Sequence, residues 1–309
     1  VKLNPVLIGT ATVLATGLML SGCSNPTAAP APASGTDSGT VIVSSANFTE
    51  SEIIGNLYAL ALEDAGVKVE TKFNIGSREA YIPALTQGSI NLLPDYTGNL
   101  LLFLDPQADV STPEAIEKEL PGALAAKGLV ALTPASAQDK DSVAVTRETA
   151  DKWNLKTIGD LAAHNDQLIL GAPPEFKERP VGLPGLKDHY GVVPSKFVPF
   201  ADGGPASVKA LLAGKITAAN VFTTSTDITD NDLVVLEDPK QNFPAQNVVP
   251  VAGKDKLSDA AVSAIDAVSA KLTTEELLKL NGWVSGSQKL EPAAAAEQWL
   301  TEQGLVKGK

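Results

Sequence analysis

Cys23, His164, His189 and the acidic pairs Glu63-Asp64 and Glu275-Glu276 are the residues through which this chain would do nucleophilic, metal or acid–base chemistry. None has the company such chemistry needs. A single cysteine makes no disulfide framework and no zinc-finger-type site. Two histidines far apart in sequence do not by themselves form a metal centre. Both acidic pairs fall on helical patterns, where they face solvent rather than flank a substrate. The sequence holds no P-loop, no strand-linked G-x-G-x-x-G, no G-x-S-x-G elbow and no H-E-x-x-H. With 24 Lys+Arg against 36 Asp+Glu the net charge is −12, whereas a phosphate-binding surface needs clustered positive charge. Catalysis, a cofactor, a bound metal and a nucleic-acid partner are therefore not expected. A binding role remains, and the elements that would build its site come next.

At 309 residues the chain suits two lobes, each able to bury a core. Residues 1–22 read as a signal peptide, because Lys2 precedes an apolar stretch from Val6 to Leu20 that is too short and too rich in small residues for a transmembrane span. The stretch ends in Leu20-Ser21-Gly22-Cys23, which resembles a bacterial lipobox. That resemblance implies cleavage before Cys23 and acylation of the cysteine, which would hold the protein on the extracytoplasmic face of the cell membrane. Residues 23–40 are rich in Pro, Ala, Ser and Gly with nothing to bury, the composition of a flexible tether.

The folded part begins with the β-branched run Val41-Ile42-Val43. Ile53, Ile54, Leu57, Leu60 and Ala61 recur at helical spacing, with Thr49 and Glu52 placed as a capping box. Val67 to Phe73 alternates like a strand, Tyr81 to Gln87 reads as a short helix, and Ile90 to Leu93 as a further strand. This β-α-β-α-β order predicts a mostly parallel sheet flanked by helices. A second cycle starts near Ala144-Val145, with strands expected at Leu168–Leu170, Ile216–Val221 and Leu233–Leu236. Val248-Val249-Pro250-Val251 leads back to the first lobe, and three helices follow from Ala260 onward. The expected division is 41–140 for the first part of lobe 1, 141–247 for lobe 2 and 248–309 for the return to lobe 1. Two α/β lobes joined by two crossings leave a cleft, a common place for a small-molecule site.

Several segments in this order resemble the substrate-binding proteins of ABC importers for osmoprotectants such as glycine betaine, choline and carnitine. They include Asn47-Phe48-Thr49-Glu50, Leu93-Pro94-Asp95-Tyr96-Thr97-Gly98-Asn99, Glu175-Phe176 through Arg179 to Leu186, Asn220-Val221-Phe222 and Phe243-Pro244. The resemblance implies a type II periplasmic-binding-protein fold, a two-lobed α/β clamshell closing on one ligand. It also implies a monomer that delivers a quaternary amine or related solute to a separate permease–ATPase complex. In that family four aromatic side chains cage the quaternary ammonium by cation–π attraction, and an arginine holds the ligand carboxylate.

Carried over by position, one cage tyrosine is Tyr96, a second position holds Asp141, a third Phe222 and the fourth Gln246. The carboxylate-binding arginine matches Arg179. Ala46 stands where a lysine is common and Asn99 where a threonine is common, while Thr97 and Asn47 belong to the matched ligand-binding segments. Two aromatic faces are kept, and three cage-region positions are polar. Asp141 would pair with a cation directly, favouring choline-like solutes; alternatively Asp141, Asn99 and Gln246 would hydrogen-bond a hydroxylated or phenolic ligand between Tyr96 and Phe222. A sensor or adhesin module without a transporter is the other class compatible with the anchor. Pro94 and Gly98 frame Tyr96 as a loop residue, and the run Asp139-Lys140-Asp141 has the composition of solvated surface. Phe48, Tyr81 and Tyr190 are expected to be packing residues, and Trp153, Trp283 and Trp299 core residues.

Overall fold

The computed structural model describes residues 39–201 and 204–307. The signal-peptide stretch, Cys23 and nearly all of the tether lie outside the described residues. The first lobe carries β1 (Val41–Ser44), α1 (Thr49–Asp64), β2 (Val69–Lys72), α2 (Arg78–Thr86), β3 (Leu92–Tyr96), α3 (Thr97–Leu104), α4 (Pro113–Ala125) and β4 (Leu129–Ala131). The second carries β5 (Asp141–Thr146), α5 (Arg147–Trp153), β6 (Ile169–Ala172), α6 (Leu183–Tyr190), β7 (Lys196–Pro199), α7 (Pro205–Leu212), β8 (Ala218–Phe222), α8 (Asp227–Asp230) and β9 (Leu233–Val235). The chain returns through β10 (Val248–Gly253) and closes with α9 (Asp259–Lys271), α10 (Thr274–Ser285) and α11 (Pro292–Glu302).

Each lobe is built on a five-stranded sheet, in the orders β2-β1-β3-β10-β4 and β7-β6-β8-β5-β9. In the first sheet only β10 runs against its neighbours, and in the second only β5 does. These reversed strands are the ones that enter directly from the other lobe. The two crossings lie side by side: Gln138 bridges Asn247, Asp139 donates its N–H to the Gln246 carbonyl at 3.1 Å, and Val248 donates to Ala137 at 3.0 Å. A paired ribbon of this kind is where two lobes can hinge.

Helices cover both faces of each sheet. On one face of the first, α1 buries Ile53, Ile54, Leu57, Tyr58 and Leu62 against α9, α10 and α11, with Trp299 fully enclosed. On the other, Leu93 and Val251 pack with Leu100, Leu101, Ile116 and Leu124 from α3 and α4. Trp299 is the core residue its spacing predicted, whereas Trp283 and Trp153 are half-buried and Trp153 stacks on His164.

Two local expectations give way to other solutions. Thr49 is the first residue of α1 rather than its cap, extended Phe48 precedes it, and no side chain caps the helix. Glu52 instead accepts from Asn74 at 2.8 Å. The third strand runs on through Pro94-Asp95-Tyr96, where a proline read as its end. Pro94 sits opposite Pro250 on β10, so the two residues lacking an N–H share one register position. Tyr96 is thus fixed at a strand end rather than on a loop. Gly98 lets α3 start at once, because a Cβ there would meet the Ala245 carbonyl at 2.5 Å and the Pro244 ring at 2.8 Å. No described helix is long and apolar enough to cross a membrane.

Candidate functional site

The ends of β3, β5 and β8, the β1–α1 loop and the N-termini of α2 and α3 converge on one cavity of about 70 Å³ between the lobes. Strand ends and helix starts supply its polar groups because that is where backbone pairing stops and side chains are free to face a cleft.

Three aromatic rings form one wall. Phe48 lies 5.3 Å from Phe222 and 6.1 Å from Tyr96, centroid to centroid, and tilted to both. Phe48 packs against the core of lobe 1, as expected, and its position just before α1 also places it against the cavity. Tyr81 also lines the cavity, with its hydroxyl donating to Asp95 at 2.9 Å.

Arg78, at the first position of α2, is 6% exposed and is paired with Asp95 at 2.5 Å. Burial pulls the guanidinium pKa down, but the Asp95 carboxylate outweighs it and the net shift is upward, so the charge is permanent. Its Nε is buried with no partner, so the guanidinium keeps unused donor capacity beside the cavity. Sequence reasoning missed this residue. A cation in the first turn of a helix opposes the helix dipole, and that is the signal that marked it.

Arg179 is also at the cavity, 24% exposed at its side chain, and bound to Glu79 of lobe 1 at 3.2 Å and to Glu175 at 3.6 Å. It works as a strap between lobes. Burial alone would raise the Glu79 pKa, but hydrogen bonds from Ser77 and its own backbone, with the Arg179 charge, hold it below the usual value. Beyond Arg179 the cleft continues into an apolar groove of about 360 Å³ lined by Leu102, Phe103, Pro106 and Pro180.

Asp141 is partly buried rather than solvated surface, and it is Phe222's register partner on the neighbouring strand. Asn220, two residues before Phe222, shares that side of the sheet and is fully buried. Asp141 accepts from Asn220 Nδ2 at 3.0 Å and from Asn99 Nδ2 of lobe 1 at 2.7 Å. Asn47 lines the cavity as well and donates to the Ala201 carbonyl of lobe 2 at 3.1 Å. Gln246 and Thr97 stand behind the wall: Gln246 Oε1 accepts from the Asn99 backbone N–H at 3.1 Å, and Thr97 Oγ1 accepts from the Asn247 N–H at 3.1 Å.

A second buried cluster backs Tyr96. Glu50, 6% exposed, accepts from the Tyr96 hydroxyl at 2.5 Å, from Thr224 Oγ1 at 2.5 Å and from Asn281 Nδ2 at 2.6 Å. Asp139, 4% exposed, accepts from the Thr224 N–H and the Thr223 hydroxyl, both at 3.1 Å. Burial raises the pKa of both carboxyls, and the Glu50 charge pushes Asp139 well above the usual range. The two buried carboxyls therefore titrate as a coupled pair that keeps its protons to higher pH than free carboxyls do. Desolvation and the Glu50 charge also raise the Tyr96 hydroxyl pKa well above its ordinary value, so it stays a donor.

The model of the substrate-binding domain of ABC-type glycine betaine transport systems matches residues 39–302. The chain belongs to this family. Glycine betaine-binding protein YehZ of Escherichia coli strain K12 is 27% identical over 303 residues, covering 94% of this chain and 96% of that protein. Carnitine transport binding protein OpuCC of Listeria monocytogenes is 27% identical over 310 residues, covering 96% of both. The crystal structure of a glycine betaine/carnitine/choline ABC transporter protein superposes with a TM-score of 0.67 at 28% identity, covering 86% of this chain and 99% of that one. The two-lobed α/β architecture is accordingly the type II periplasmic-binding-protein fold, and the protein is a substrate-binding protein of the betaine-transport family.

Proposed function

We propose that this protein is the extracytoplasmic receptor of an ABC importer, capturing one small ammonium or zwitterionic solute of the betaine and choline class by lobe closure. It acts as a monomer, does no chemistry on its ligand, and passes it to a permease–ATPase complex. A lipid on Cys23 anchors it, and residues 23–40 give the domain reach over the membrane surface. The observation that carries this reading is the wall of Phe48, Tyr96 and Phe222 with a carboxylate, Asp141, beside it. Aromatic faces attract a desolvated cation by about 0.5–2 kcal/mol each, and Asp141 adds a full negative charge. Arg78, with a free Nε, receives an anionic edge of the ligand, while Arg179 ties the lobes over it.

Closure needs contacts from both lobes, because a ligand shifts the equilibrium only by its difference in affinity for the two states. The cavity meets that condition, with Phe48, Tyr96, Arg78 and Asn99 from lobe 1 and Phe222 and Asn220 from lobe 2. A thermal-shift panel of betaines, choline, carnitine, polyols and phenolics on the purified protein tests the proposal. Stabilisation by at least one betaine, choline or carnitine is expected; stabilisation by polyols or phenolics alone would overturn it.

A further inference from the structure

Asp141 is held by two amides, one from each lobe, in a way that leaves both amides half-used. Asn99 Nδ2 and Asn220 Nδ2 each donate to one of its carboxylate oxygens. That bonding fixes the orientation of both amide groups, since only the NH2 side can face a carboxylate. Each Oδ1 then points elsewhere, and neither has a partner although both are buried. An unpaired buried carbonyl is costly, and two beside one carboxylate at the wall of a cavity are rare enough to need an explanation. The atoms left without a partner, Asn99 Oδ1 and Asn220 Oδ1, are both acceptors and stand beside a carboxylate. Their natural complement is a cation that brings its own hydrogen-bond donors.

A quaternary ammonium has none. Its methyl groups would satisfy the aromatic wall of Phe48, Tyr96 and Phe222 but leave Asn99 Oδ1 and Asn220 Oδ1 desolvated and unbonded. An ammonium that keeps at least one N–H can meet the aromatic faces with its carbon substituents and an acceptor with its hydrogen. Sites built to bond a hydrogen reject analogues lacking it strongly, because the protein's own groups are stranded.

We infer that Asn99, Asp141 and Asn220 form a two-lobe acceptor subsite for an N–H-bearing ammonium, so that the preferred solute is an incompletely N-methylated amine or amino-acid zwitterion rather than a quaternary one. This rests on the receptor role proposed above and narrows its ligand class. Asn99 and Asn220 are then specificity-determining residues. The lobe-1 amide reaching a carboxylate that opens lobe 2 also makes the subsite complete only when the lobes meet.

The test is titration calorimetry of the purified protein with glycine, N-methylglycine, N,N-dimethylglycine and glycine betaine, with choline and carnitine run alongside. The best N–H-bearing member should bind about tenfold or more tightly than glycine betaine, the worth of one stranded polar group. Asp141→Asn should shrink that preference, read as the ratio of affinities between the N–H-bearing solutes and glycine betaine. Glycine betaine binding as tightly as, or more tightly than, every N–H-bearing member would overturn the inference and leave the receptor role standing. Silence across the amino-acid series with binding of choline or carnitine would do the same, and silence from all six would overturn both. Should Asp141→Asn fail to fold, the methylation series on the parent protein still decides.

Discussion

Tyr96 carries two jobs that substitution can separate. Its ring belongs to the aromatic wall, and its hydroxyl donates to buried Glu50. Tyr96→Phe keeps the ring and strands a Glu50 oxygen, so it should lower unfolding stability by about 1–3 kcal/mol with little change in ligand affinity. Tyr96→Ala should weaken binding by roughly two- to thirty-fold, the worth of one cation–π face. Urea unfolding and calorimetry together check the pair, and equal affinity for Phe and Ala variants would remove the ring from the site. Arg78 and Arg179 divide in a similar way. Arg78 has unused donor capacity beside the cavity, whereas Arg179 is engaged by Glu79 and Glu175. Arg78→Lys keeps the charge opposite Asp95 but loses the planar fork. It should weaken carnitine and other carboxylate-bearing solutes several-fold more than choline; a uniform loss across these solutes would assign the ligand carboxylate elsewhere.

The Glu50–Asp139 pair joins four elements: α1, the crossing that leads into β5, the segment after β8 carrying Thr224, and α10 carrying Asn281. Both carboxyls have pKa values raised in the folded protein above the ordinary 4.5 and 3.8. The folded state therefore binds more protons than the unfolded one. The pair's contribution to stability is complete below the ordinary carboxylate range and is lost as pH rises through the raised values. Thermal melts should show the melting temperature falling as pH is raised from mildly acidic toward alkaline. Asp139→Asn removes one of the two titrating carboxyls and should flatten that fall; an unchanged slope would show that the pair is not its source. Much at this scale was legible in the sequence, because period and punctuation survive folding. The strands at Val41, Leu168 and Leu233 and the helices from Ala260 onward all came from local pattern. The end of β3 did not, since Pro94 reads as a stop until its partner Pro250 is known. The burial of Asp139 and Asp141 was equally hidden: their neighbours Thr224, Asn220 and Asn99 come from distant parts of the chain.

The whole molecule is two sheets of matching order whose reversed strands are the two crossings, and the site lies where those crossings meet the strand ends. The order of short motifs along the chain revealed that plan, because the motifs at Asn47–Glu50, Leu93–Asn99 and Asn220–Phe222 sit at strand ends or helix starts that line the cavity. Motif order could not show which side chains touch. Tyr96, Phe222, Asp141, Asn99, Asn47 and Arg179 do come together, Gln246 and Thr97 stand behind them, and the wall is completed by Arg78 and by Phe48 and Asn220, which the motifs contained without marking them as ligand contacts. Arg179–Glu79, Asn47–Ala201 and Asn99–Asp141 tie the two lobes together around the site. A crystal structure with the tightest solute from the binding panel tests this most directly. The account predicts the ligand's ammonium against Phe48, Tyr96 and Phe222 with Asp141 beside it, and both lobes in contact with the solute. A ligand lodged in the neighbouring groove of Leu102, Phe103 and Pro106, or held by one lobe alone, would contradict it.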